Sequence, residues 1–128
     1  MSKSPITCHV LDTSIGKPAA GIAVKLQQFE PAAKEGDLDV FTPIAKGTTN
    51  SDGRCADLFA PANPAQPVPK LHAGLYKIIF YPKEYFEATN RKCFYPWVEI
   101  TFEIEKPEEH YHIPLLITPY SFTTYRGS

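Results

Sequence analysis

The chain has 128 residues, 43% of them hydrophobic and 21% charged, and a formal net charge of −1. That length suits a single domain, 1–128, with a modest core, and the near-neutral charge gives no reason to expect nucleic acid or an anionic membrane as partner. No apolar run approaches the roughly 18 residues of a membrane span. The opening Met1-Ser-Lys-Ser-Pro is polar, without the apolar core of a secretion signal, and the last residues are not a Ser-Lys-Leu peroxisomal address. A cytoplasmic location is therefore expected.

Thirteen prolines and seven glycines divide the sequence into short pieces, none with a long helical period. An all-β fold is expected. In the first piece Ile6, Cys8 and Val10 share one face, and Thr7, His9 and Leu11 the other. A turn from Asp12 to Pro18 follows. Gly21 then opens a half-buried strand in which Ile22, Val24 and Leu26 alternate with Ala23, Lys25 and Gln27. Glu30 to Asp39 reads as a polar loop. Val40 to Thr49 is a strand interrupted by Pro43, hence an edge strand or a bulged one. Asn50-Ser51-Asp52-Gly53 is a turn that delivers Arg54 to the start of another short piece.

Ala60 to Lys70, with four prolines, reads as an irregular surface loop. Gly74 to Tyr81 is apolar on both faces and is expected at the centre of a sheet. Pro82 introduces a short helix, Lys83 to Thr89, stopped at Asn90. Pro96 to Glu105 alternates cleanly. Lys106-Pro107-Glu108-Glu109 is read as a hairpin connection into a last segment that starts at His110. About eight strands and one short helix describe a β-sandwich with a helix on one edge. Cys8, Cys55 and Cys93 form no Cys-x-x-Cys pair, so a zinc ribbon or a thioredoxin-like site is excluded; three reduced, mostly buried thiols are expected.

No phosphate loop or nucleophile elbow is present. The residues able to do chemistry are dispersed: His9, Arg54, His112 and the final Tyr125-Arg126-Gly127-Ser128. His110 and His112 lie two apart on one strand face, a spacing open to a metal pair and equally to a solvent-facing surface. Spacing alone does not assemble these residues.

Three segments carry a resemblance. His9-Val10-Leu11-Asp12-Thr13-Ser14-Ile15-Gly16-Lys17-Pro18-Ala19, Ser51-Asp52-Gly53-Arg54-Cys55, and His110-Tyr111-His112-Ile113-Pro114-Leu115-Leu116 with the terminal Tyr125-Arg126-Gly127-Ser128 resemble the 5-hydroxyisourate hydrolases. This is the transthyretin-like family of purine degradation. The similarity runs end to end, and no position carrying the family's chemistry departs from it. The tetrapeptide is its most specific mark. It separates the enzymes from transthyretin proper, a secreted thyroid-hormone carrier that lacks both the tetrapeptide and the catalytic histidines.

The resemblance implies a transthyretin-like (prealbumin-like) sandwich of two four-stranded sheets, assembled as a homotetramer, a dimer of dimers with active sites in the channel between dimers. It implies hydrolytic ring opening of 5-hydroxyisourate to 2-oxo-4-hydroxy-4-carboxy-5-ureidoimidazoline at a cyclic amide-type bond, with no metal or cofactor. On this reading His9 and His112 activate water and shuttle protons. Arg54 binds the substrate's carbonyls and stabilises the oxyanion. Tyr125 contacts substrate, and Ser128, through its hydroxyl or a terminal carboxylate, orients a histidine or the water. The competing expectation is a carrier of small aromatic ligands of the transthyretin type. A purely structural sandwich is the third.

Overall fold

Two sheets pack face to face in the computed structural model, which describes residues 4–59 and 71–128. The loop expected at 60–70 lies outside the described residues. The strands are β1 (Ile6–Asp12), β2 (Lys17–Pro18), β3 (Ala23–Glu30), β4 (Val40–Thr48), β5 (Arg54–Cys55), β6 (Gly74–Tyr81), β7 (Val98–Ile104), β8 (Tyr111–Thr118) and β9 (Ser121–Thr124), with one helix, α1 (Lys83–Glu87), after β6. One sheet runs β4-β3-β6-β7. The other runs β2-β1-β8-β9, with β5 also paired to β1. All pairings are antiparallel except β1 with β8, which is parallel. No helix among the described residues is long and apolar enough to cross a membrane.

Alternation decides which residues become core. Ile6, Cys8 and Val10 of β1 and Tyr111, Ile113, Leu115 and Ile117 of β8 turn inward. They meet Val24 and Leu26 of β3, Tyr76, Ile78 and Phe80 of β6, and Val98 and Ile104 of β7. The strand apolar on both faces, β6, is central as expected. Pro43 lies on β4, an edge strand, and the β3–β4 register shifts there, between Leu26 and Gln27. An edge tolerates the missing proline N–H, and a bulge absorbs the extra residue.

The expected helix is two residues shorter, ending at Glu87. Asn90 stops the turn with φ of 57°. Its buried Phe86 joins the core, and Tyr85 donates its hydroxyl to Asp12 Oδ2 at 2.9 Å. Arg91 reaches the same oxygen at 2.9 Å, and Ser14 donates its hydroxyl to Oδ1. Asp12 is fully buried and closed in by these partners.

The hairpin expected at Lys106–Glu109 is not one. These residues carry the chain from β7, at the edge of one sheet, across to β8 in the other. The Tyr111 hydroxyl holds the crossing, accepting from Lys106 N at 3.1 Å and donating to Lys106 O at 3.2 Å. A short polar connector reads alike whether it joins strands within a sheet or between sheets. The difference lies in the pairing of β8 with β1, more than 100 residues away in sequence, and no local pattern encodes it.

Candidate active site

The outer face of the five-stranded sheet gathers the polar residues of three strands. Thr7 and His9 point outward from β1 because their neighbours Ile6, Cys8 and Val10 point inward. The parallel register sets Thr7 beside His112 and His9 beside Pro114 of β8. On the other side of β1, Arg54 of β5 lies directly opposite His9.

The turn before Arg54 is built by its own sequence. Asn50 Oδ1 accepts from Asp52 N at 2.9 Å and from Arg54 N at 3.0 Å. Gly53 has φ of 74°, and a Cβ there would lie 2.3 Å from the Val10 carbonyl oxygen, so glycine is required for both conformation and contact.

The final residues fold back over β8. Gly127 N donates to His112 O at 2.9 Å. A Cβ on Gly127 would stand 2.6 Å from His112 Cδ2 and 3.0 Å from Pro114 Cγ, so only glycine lets the tail lie this close to the imidazole. Arg126 ties the tail to the start of β8: Nη2 donates to Glu109 Oε2 at 3.1 Å, and the guanidinium sits 4.5 Å from the centre of the Tyr111 ring.

The outcome is a cleft of about 260 Å³ lined by Thr7, Cys8, Arg54, Ala56, His110, His112 and Ser128. Of the expected site residues, Arg54, His112 and Ser128 meet in it. His9 is not among the lining residues, but it borders the cleft as the cross-strand neighbour of Arg54. Tyr125 is not in the cleft. It lines an adjoining hollow of about 240 Å³ with Phe102, Tyr111 and Arg126, and His112 contributes to both.

Protonation follows from the contacts. His9 Nε2–H donates to the Asp52 carbonyl at 2.9 Å, which leaves Nδ1 with the lone pair. Burial and then the Arg54 cation push the His9 pKa down, against a smaller upward effect of the Asp52 carbonyl. His9 is therefore neutral at pH 7, a proton acceptor. The Cys8 thiol points into the core, and its pKa is pushed up, first by its hydrogen bond with Cys55 and then by burial, so it stays a thiol and is no nucleophile. All three cysteines are free.

Sequence reasoning missed Thr7. Its hydroxyl lies 2.9 Å from His110 Nε2 and 2.8 Å from His112 Nδ1. The available signal was that Thr7 shares a face with His9, but its two imidazole neighbours arrive through the β1–β8 register.

The family model described as the HIUase/Transthyretin family matches residues 6–127. The chain belongs to the HIUase/Transthyretin family. It is 38% identical to the 5-hydroxyisourate hydrolase of Mus musculus, over 98% of this chain and 96% of that one. The structure of the Klebsiella pneumoniae 5-hydroxyisourate hydrolase superposes with a TM-score of 0.72 at 33% identity, over 100% of both chains. Sea bream transthyretin, solved in complex with thyroxine, superposes with a TM-score of 0.76 at 29% identity, over 97% of this chain and 95% of that one. The backbone thus fits the Klebsiella pneumoniae hydrolase and the sea bream transthyretin about equally.

Proposed function

We infer that the chain is a hydrolase that opens the ring of 5-hydroxyisourate in urate degradation. The observation that carries this is the meeting of Arg54, His112 and Ser128, from three distant segments, in one small cleft. At about 260 Å³ the cleft lies below the roughly 300–1,000 Å³ of drug-sized sites. It suits a single compact ring system.

In the mechanism we propose, Arg54 presents its planar donor fork to the carbonyls of the substrate and then to the oxyanion as it forms. The Arg54 side chain is exposed in one chain, so its electrostatic effect grows when substrate displaces water from the cleft. His112 takes the proton of the attacking water. His9, neutral beside Arg54, accepts a hydrogen bond at Nδ1 from the substrate side without adding a second positive charge. Ser128 is held by the Gly127 anchor where its hydroxyl orients the water. Tyr125 closes the flank of His112 away from the cleft. Every group this chemistry requires is a side chain of the cleft or its border.

The assembly we propose is a homotetramer, a dimer of dimers with sites where the dimers meet. Strands β7 and β9 are sheet edges. Beside them Phe94, Tyr95, Tyr120 and Phe122 are exposed and contact one another ring to ring. Open edges flanked by an aromatic patch favour pairing with a second copy, and the cleft, open in one chain, would be closed by a facing subunit.

The test uses substrate generated freshly from urate by an oxidase, because it decays in water. The protein should speed the loss of its ultraviolet band well beyond the spontaneous rate, and light scattering should give four times the 14.3 kDa chain mass. A decay no faster than in buffer rejects the hydrolase and leaves the carrier.

A further inference from the structure

Between His112 of β8 and His110, the residue just before that strand, lies one hydroxyl, buried and bonded to both: Thr7 Oγ1, 2.9 Å from His110 Nε2 and 2.8 Å from His112 Nδ1. A hydroxyl carries one proton. It donates to one ring and accepts from the other, so the two imidazoles cannot choose their tautomers independently. If His112 donates from Nδ1, Thr7 donates to His110 Nε2, and both rings are in the Nδ1–H form. If His110 donates from Nε2, Thr7 donates to His112 Nδ1, and both are in the Nε2–H form.

We propose that Thr7 is a proton relay which converts His112 from the base to the acid of the hydrolysis, with His110 exchanging the balancing proton with solvent. This rests on the hydrolase reading given above. Hydrolysis of an amide-type bond asks for two opposite acts at one place: a proton is removed from water on attack and delivered to the departing nitrogen on collapse.

On attack, the water proton goes to His112 Nε2. His112 Nδ1–H passes to Thr7 Oγ1, the Thr7 proton passes to His110 Nε2, and His110 releases its Nδ1 proton to solvent. His112 is now neutral with Nε2–H, the form of an acid. On collapse, Nε2–H protonates the leaving nitrogen as its bond to carbon breaks. The same three sites shift back, and His110 regains a proton from solvent at Nδ1. The enzyme returns to its starting state, and the proton shed when the new carboxyl ionises passes to solvent as the carboxylate product leaves. The positions suit these parts: Thr7 is buried, His112 half-buried and His110 exposed, so of the three it is His110 that meets solvent.

The test is a pair of conservative variants and one spectroscopic measurement. Thr7→Val keeps the shape and removes the hydroxyl; it should lower kcat by about 10²-fold while KM changes less than about threefold, as expected for a group acting through another. Thr7→Ser should recover most of the rate. In the native protein, long-range ¹⁵N correlation of the ring nitrogens should show His110 and His112 with matching tautomer populations. The relay is overturned by a Thr7→Val enzyme as fast as the native one, by a loss that falls on KM, by a Thr7→Ser as impaired as Thr7→Val, or by opposite tautomers in the two rings. The last result decides even if Thr7→Val does not fold. A native protein that leaves substrate decay unchanged would instead reject the hydrolase reading itself.

Discussion

His112→Ala should lower kcat by about 10²–10⁴-fold, the usual worth of a positioned general base, while thermal stability changes little. The ring is half-buried on an outer face, and the core is built from the opposite face of β8, so its removal opens no cavity between the sheets. The loss should fall on kcat, because water deprotonation is needed in the transition state and not for binding. Added imidazole should restore part of the rate by occupying the vacated space, which a merely misfolded variant would not show. Arg54→Lys should also be slow, by roughly 10²–10³-fold, even though the charge remains: an ammonium cannot present two parallel donors to a carbonyl-bearing ring. A His112→Ala enzyme with native kcat would remove this imidazole from the chemistry.

The largest effect on stability should come from Arg91→Ala, at a site remote from the cleft. Asp12 is fully buried and meets Arg91 at 2.9 Å, with the Ser14 and Tyr85 hydroxyls on its oxygens. Burial alone would raise the Asp12 pKa. The hydrogen bonds from Ser14, Tyr85 and Arg91 outweigh it and hold the carboxyl below its ordinary value. Removing the guanidinium leaves a buried carboxylate with no cation beside it, held only by the Ser14 and Tyr85 hydroxyls and the Ser14 N–H. That should cost about 3 kcal/mol, or roughly 10 °C in Tm for a chain of this size.

The sign with pH follows from the depressed folded pKa. The contribution of Asp12 is complete above the unfolded carboxyl pKa of about 3.9 and is lost as pH falls through the lower folded value. In the variant the folded pKa rises, so protonation relieves it sooner. The Tm gap between native and variant should be widest near about pH 7 and should narrow toward about pH 3, as thermal melts across that range will show. A gap independent of pH would mean that Arg91 acts by packing over Tyr85 and Phe86, whose rings it also covers.

Much of the fold was legible because local rules governed it. The two apolar faces of Gly74–Tyr81 placed that strand centrally, Pro43 placed its strand at an edge, and Asn50–Gly53 placed Arg54 after a turn. The connection at Lys106–Glu109 was misread, and Thr7 was overlooked, for one common reason. Both depend on β8 lying parallel to β1, a long-range pairing that local periodicity does not record.

The convergence of Arg54, His112 and Ser128 rests on that same pairing, together with the fit of Gly127 against the His112 ring. The sequence showed that these residues could do chemistry, and the register showed that they share a cleft. Tyr125 lies just past β9, whose antiparallel pairing with β8 sets it in the hollow beside β7, next to the cleft and sharing His112 with it.

The most direct test of the shared cleft is a crystal structure with a stable purine-dione analogue of the substrate bound. The ring should lie in the Thr7–Arg54–His112–Ser128 cleft, with a carbonyl oxygen on the Arg54 guanidinium and the His112 imidazole within hydrogen-bonding reach. An analogue seated in the Tyr125 hollow with no contact to Arg54, or held only by the aromatic patch at Phe94 and Tyr120, would contradict it.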